Sequence, residues 1–125
     1  DGVTIEDDVF CGPHMVFTNV ATPRAFLNRR GEYQPTRVCQ GTTIGAGAVI
    51  VCGHTIGRYA FVGAGAVVTR DVAAFALVYG NPAQQHGWVG RCGTRLEFDA
   101  TGAAVGEDGA RYRLRAGQVS PEDEL

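Results

Sequence analysis

Glu6, His14 and Asn19, followed by Arg24, Arg29, Arg30 and Tyr33, gather much of this chain's reactive side-chain chemistry into its first third. A histidine titrates near neutral pH and serves as a general base or as a contact to a polar ligand. An asparagine amide oxygen accepts from a neutral amine and orients its lone pair. Arginine forks match the oxygens of carboxylates and phosphates. A tyrosine stacks or hydrogen-bonds. Each residue also has a plain structural reading. Asn19 caps a loop, His14 is an ordinary turn residue, and each arginine is a solvated surface cation. Later in the chain, His54 occupies a position where neighbouring segments carry a small residue. The four cysteines, Cys11, Cys39, Cys52 and Cys92, contain no C-x-x-C pair, so a metal or redox site is not supported.

A regular element must position these groups. From Val38 to Ala73 every sixth residue is β-branched and aliphatic: Val38, Ile44, Ile50, Ile56, Val62 and Val68. Small residues stand two positions earlier at Thr36, Thr42, Ala48, Ala60 and Ala66, with His54 the exception. Glycine stands three positions later at Gly41, Gly47, Gly53 and Gly65. A helix would repeat near 3.6 residues and a half-buried strand at 2. A period of six instead suits short strands joined by sharp corners, with glycine supplying the corner's backbone freedom. Three sides make an 18-residue coil. Val38 then stacks on Ile56, Ile44 on Val62 and Ile50 on Val68, at strand spacing of about 4.8 Å per coil.

Ile5, Cys11 and Phe17 carry the same period upstream, which places Cys11 at an inward, buried position. Residues 18–37 then break the phase with two prolines, a glycine and four arginines, Arg37 among them. This predicts a loop thrown out of the coil, of the kind that usually carries function. Tyr79-Gly80-Asn81-Pro82-Ala83 predicts the turn that ends the prism. The reading divides the chain into a prism over residues 1–83 and an extension over 84–125. In the extension, strands are expected around Leu96 and Phe98 and around Tyr112 and Leu114, separated by a Gly-Asp-rich turn. The last five residues are acidic and expected to fray. The sequence opens at Asp1 in the middle of a repeat, so earlier coils are expected to be missing.

Net charge is −2, which gives no reason to expect nucleic acid or an anionic membrane as partner. All the basic residues are arginine, read as a coding bias. No apolar run reaches the roughly 20 residues of a membrane span, and no secretory signal opens the chain, so the expected location is the cytoplasm.

The repeat resembles the hexapeptide-repeat acyltransferases. That resemblance implies an all-β fold, a left-handed parallel β-helix with an extended loop and a small C-terminal β extension. The hand comes from the resemblance, since the general crossover rule favours the right hand. Phe10-Cys11-Gly12-Pro13-His14-Met15-Val16-Phe17-Thr18-Asn19 is similar to a segment of bacterial nucleotide-amino-sugar N-acetyltransferases. Val51 to Gly57, Gly63 to Val72 and Gly80 to Ala83 continue the match in order, to about residue 96. It is nearest to enzymes that acetylate the 3-amino group of UDP-2-acetamido-3-amino-2,3-dideoxyglucuronate in surface-polysaccharide synthesis. The resemblance implies an acetyl-CoA-dependent enzyme and a homotrimer with sites between subunits; from the cysteine spacing, no metal is expected. By the same resemblance Asn19 and His14 are the catalytic candidates. Glu6, Arg24, Arg29, Arg30 and Tyr33 are candidates for the UDP-sugar, and His54, Ala64, Ala66, Arg70, Asn81 and Pro82 for the cofactor. Cys92-Gly93-Thr94-Arg95-Leu96 resembles one knuckle of a zinc ribbon. The second pair would fall at Val105 and Asp108, so the extension reads as a metal-free remnant.

Two other classes remain. A γ-type carbonic anhydrase needs three converging zinc histidines, and only His14 and His54 fall on the prism. A truncated prism that assembles without turnover is the non-catalytic alternative; within the acyltransferase class, a related enzyme with a different amino-sugar acceptor is another.

Overall fold

The computed structural model describes residues 1–123. Short strands wind around three flat sides. The first side holds β1 (Val3–Ile5), β4 (Thr36–Val38) and β7 (Thr55–Ile56). The second holds β2 (Phe10–Cys11), β5 (Thr43–Ile44), β8 (Phe61–Val62), β10 (Ala76–Tyr79) and β11 (Gln84–Trp88). The third holds β3 (Val16–Phe17), β6 (Val49–Ile50) and β9 (Val67–Val68). Pairing within each side is parallel from coil to coil, and the fold is the all-β left-handed helix expected. The register is the 18-residue stack: Val38 faces Ile56, Ile44 faces Val62 and Ile50 faces Val68.

The core is that stack. Val38, Ile44, Ile50, Ile56 and Val62 are fully buried, each contributing about 1.5–3 kcal/mol of apolar burial. The small residues two positions earlier close the corners, and two of them also bond to the next coil. Thr36 Oγ1 accepts the Gly53 amide at 3.2 Å, and Thr42 Oγ1 donates to the Gly57 carbonyl at 3.0 Å. The position three after most inward residues is left-handed; Val20 after Phe17, at the start of the loop, and Asp71 after Val68 are the exceptions. Gly41, Gly47, Gly53 and Gly65 occupy it, but so do Asp8, His14 and Tyr59, at φ of 60°, 60° and 56°.

Three expectations change. Cys11 does point inward, but it is exposed, because its coil has no covering coil among the described residues; Ile5 beside it is 46% exposed for the same reason. The loop runs over residues 18–35, and Arg37 belongs to β4. In the extension, the strands fall at β12 (Ala103–Val105), β13 (Arg111–Arg115) and β14 (Gln118–Pro121), an antiparallel meander. Leu96 and Phe98 lie outside it and pack beside Tyr112 instead. Of the last five residues, Glu122 pairs with Arg113 and Asp123 with Arg111, while Glu124 and Leu125 lie outside the described residues.

The extension grips the prism. β11 pairs antiparallel with β10, and Val89 donates to the Phe75 carbonyl at 2.8 Å. Phe75 is fully buried between Tyr59, stacked at 5.5 Å, and Tyr112, edge-on at 5.5 Å. Trp88 packs against both hydrophobic clusters. Where a zinc ribbon would hold its two knuckles by a metal, an Arg91–Asp108 ion pair joins the turns, and the Arg91 amide donates to the Tyr112 hydroxyl at 2.8 Å.

Two outcomes follow from this packing. A Cβ at Gly45 would lie 2.5 Å from the Ala64 backbone nitrogen, whereas one at Gly47 meets nothing within 4 Å. Gly47→Ala is expected to cost about 1–2 kcal/mol for its left-handed backbone alone. Gly45→Ala is expected to cost clearly more, read from urea midpoints; equal midpoints contradict the close approach of the coils. The second outcome concerns acid. The Arg91 hydrogen bond and the Ala110 amide hold the Asp108 carboxyl below its ordinary value, and bonds from Thr101 and Ala103 do the same for Asp99. A depressed carboxyl stabilises the fold above its unfolded-state pKa, and that support is lost as pH falls through the folded value. The extension should therefore loosen below about pH 4, the ordinary carboxylate range. Trp88 fluorescence reports it, and Asp108→Asn should weaken the transition.

Candidate functional site

The three sides define three corners, each a column of residues stacked one coil apart. The corner after the third side carries Thr18 and Asn19, then Val51 to Gly53, then Thr69 to Asp71. Thr18 donates its amide to the Ile50 carbonyl at 3.1 Å, and its hydroxyl accepts the Cys52 amide at 2.9 Å. Asn19 is thereby fixed at the mouth of the loop. The loop closes on itself there, because Gln34 donates to the Asn19 carbonyl at 2.9 Å.

His54 follows Gly53 on this same corner and is half-buried. Its Nδ1 lies 3.5 Å from Asp71 Oδ1. The Thr55 amide donates to that same carboxylate oxygen at 2.9 Å, so Asp71 is held in place from the strand side. The carboxylate thus stands beside Nδ1 without a hydrogen bond to it, and Nε2 is the ring nitrogen turned away from Asp71. Asp71 went unnoticed in the sequence. The 18-residue stack carries the signal, since it sets Asp71 beneath Gly53 and therefore next to His54.

The loop brings the candidate substrate residues together. Arg24, Arg29, Arg30 and Tyr33 line one cavity of about 280 Å³ with Val20, the neighbour of Asn19. Turns shape it: Leu27 donates to the Arg24 carbonyl, Glu32 to the Arg29 carbonyl, and Arg30 to Asn28 Oδ1. Arg29 Nε is buried and has no hydrogen-bond partner among the described residues. A buried donor of this kind carries a desolvation penalty that an anionic oxygen relieves.

Other candidates are dispersed. His14 is exposed on the corner after the second side, so within one prism it does not meet Asn19. Glu6 is not free for a ligand: Arg37 pairs with Oε2, and the Gln40 amide donates to Oε1 at 2.9 Å. Ala66 is fully buried and both its backbone groups bond within the prism, so it offers only its small size. Ala64 is exposed on His14's corner, one coil below Ala46, and the exposed Asn81 and Pro82 continue that corner at the β10–β11 turn. Arg70 stands on the Asn19 corner, where it lines a cleft of about 300 Å³ with Asp71, Gln84 and Gln85.

No family model matches the chain. A dTDP-3-amino-3,6-dideoxy-alpha-D-galactopyranose 3-N-acetyltransferase of Aneurinibacillus thermoaerophilus is 51% identical over 85 residues, covering 68% of this chain and 44% of that protein. A galactoside O-acetyltransferase of Lactococcus lactis is 30% identical over 86 residues, covering 62% and 42%. The chain thus spans under half the length of these relatives. Among solved structures, a hexapeptide-repeat acetyltransferase of Vibrio cholerae complexed with acetyl-coenzyme A aligns with a TM-score of 0.56 at 28% identity, covering 70% of this chain and 54% of that one. A galactoside acetyltransferase in complex with coenzyme A aligns with a TM-score of 0.62 at 26% identity, covering 78% and 50%.

The anchoring of Asn19 is testable by itself. Thr18→Val strands the part-buried Cys52 amide and is expected to cost about 1–3 kcal/mol. Urea denaturation measures it; an unchanged midpoint means the bond does not hold the corner.

Proposed function

We propose that this chain, a hexapeptide-repeat left-handed β-helix of the acetyltransferase kind, moves an acetyl group from acetyl-CoA to the amine of a nucleotide-linked 3-amino sugar. The observation that carries this reading is the loop cavity. Three arginines and Tyr33 converge beside Val20, the neighbour of Asn19, and among the described residues the buried Arg29 Nε has no hydrogen-bond partner, although Glu32 lies 3.6 Å from Nη1 of the same group. A sugar nucleotide offers the diphosphate that arginine forks match. The relative from Aneurinibacillus acts on a dTDP-linked 3-amino sugar, and the UDP-glucuronate acceptor suggested by the Phe-Thr-Asn segment shares the 3-amino group. The nucleotide and the sugar's other substituents are for the assay to assign.

In this reading Asn19 accepts a hydrogen bond from the neutral amine and aims its lone pair at the thioester carbonyl. The nitrogen forms the new C–N bond, and the C–S bond breaks. Coenzyme A leaves as a thiolate, which takes up a proton from solvent. The proton lost from nitrogen goes to His54 Nε2, and Asp71 stabilises the resulting imidazolium. His14 is the second candidate base, and it requires a neighbouring copy to carry it to Asn19. A homotrimer with the site between copies supplies that arrangement.

The test is thiol release from acetyl-CoA by the purified chain, offered 3-amino and 4-amino UDP- and dTDP-sugars. Release with one amino sugar and none with its hydroxyl analogue supports the reading. No release with any acceptor overturns it in favour of a non-catalytic assembly module. Asn19→Ala should lower kcat about a hundredfold or more while coenzyme A still binds. His54→Ala should cost about 10²–10⁴-fold. If His14→Ala costs that much and His54→Ala nothing, the base is His14.

A further inference from the structure

The hairpin that ends the prism carries a feature the acetyl-transfer chemistry does not use. The pairing of β10 with β11 sets Leu77 against Gly87 and Val78 against Gln85, so His86 is an extra residue in the ladder. Such a bulge re-aims one side chain. Here it turns the His86 ring onto Tyr79, with centroids 3.7 Å apart and planes within 13°. Both residues are exposed, Tyr79 to 42%.

Three further contacts hold this pair in place. Arg95 reaches back from the extension and donates to the His86 carbonyl at the bulge. At Gly87, whose φ of 155° L side chains rarely adopt, a Cβ would lie 2.8 Å from the Arg95 guanidinium, so glycine lets that side chain come close. Gly63 is required beneath Tyr79, because a Cβ would lie 2.8 Å from the Tyr79 Cβ. Burial explains none of this, since the rings face solvent. A rigid, exposed π-surface is what a heteroaromatic base stacks on.

We propose that the Tyr79–His86 pair is the platform on which the adenine of the acetyl donor stacks, with Arg95 as its positioning residue. The proposal rests on the acetyl-CoA reading above. The pair stands one coil below Ala64 and two below Ala46, at the end of the corner whose side chains are small and exposed. A pantetheine arm laid along that corner therefore delivers its nucleotide to the platform. The acceptor's base has a separate place, since the arginine cavity lies on the corner carrying Asn19.

The experiment titrates coenzyme A into the full chain by calorimetry and compares acetyl-CoA with S-acetylpantetheine, which lacks the nucleotide. Tyr79→Ala is expected to weaken coenzyme A binding about tenfold, the scale of one base–aromatic contact. It should lower the ratio of kcat/KM for acetyl-CoA over S-acetylpantetheine by the same factor. Tyr79→Phe should restore the ratio, because it keeps the ring. Arg95→Met should lower it partway by releasing the bulge, a split between donors that a general loss of stability would not produce. Equal coenzyme A affinity in wild type and Tyr79→Ala overturns the platform. So does a rise in KM for the sugar nucleotide alone, or a change of oligomeric state with the donor ratio intact. A wild-type chain that binds no coenzyme A overturns the acetyl-transfer reading as well.

Discussion

Consecutive coils touch at their corners, backbone against backbone, and the rest of the molecule depends on that contact. A Cβ placed at Gly12, Gly45 or Gly57 would lie 2.6, 2.5 or 2.4 Å from a backbone nitrogen of the next coil. At strand spacing there is room for glycine and for nothing larger. The contact sets the rise of the coil. The rise sets the stacking of Val38, Ile44 and Ile50 on Ile56, Val62 and Val68. That aliphatic stack supplies the burial that keeps such short strands paired.

A prism of fixed rise turns its corners into addresses. A residue's place is given by its corner and its coil, and chemistry follows from which residues share a column. Asn19 and His54 share one, with Asp71 beneath, and the Thr55 amide fixes the carboxylate that faces His54. The loop leaves and rejoins this column without disturbing it. Phe17 still faces Ile50 before the loop, and Val38 still faces Ile56 after it. A rigid scaffold can therefore carry an arginine-lined cavity on a segment that has no regular structure of its own.

The extension completes the prism's last coils. Phe75 turns through a left-handed conformation, at φ 63°, to bury its ring between Tyr59 and Tyr112. Gly41 leaves the space that the Tyr59 ring fills. Arg91 and Asp108 join the turns at residues 91 and 108 of the extension. That link weakens in acid, consistent with the depressed Asp108 carboxyl.

The sequence by itself determined the coil. Period, register and side were legible because each inward aliphatic, each small corner residue and each left-handed glycine answers a requirement met within six residues. The break after Phe17 was legible for the same reason, since a lost phase is a local event. Only the tertiary structure decided the partners. Glu6 and His54 read as ligand-contact candidates along the chain, yet Glu6 is paired with Arg37 and His54 faces Asp71, each one coil away. His14 and Asn19 lie five apart in sequence but on different corners. The His86 bulge depends on Arg95, and Arg91 on Asp108, through contacts that exist only once the extension folds back on the prism. Backbone repeats are fixed by local sterics, whereas the choice of a side chain's partner is made by closure over long separations.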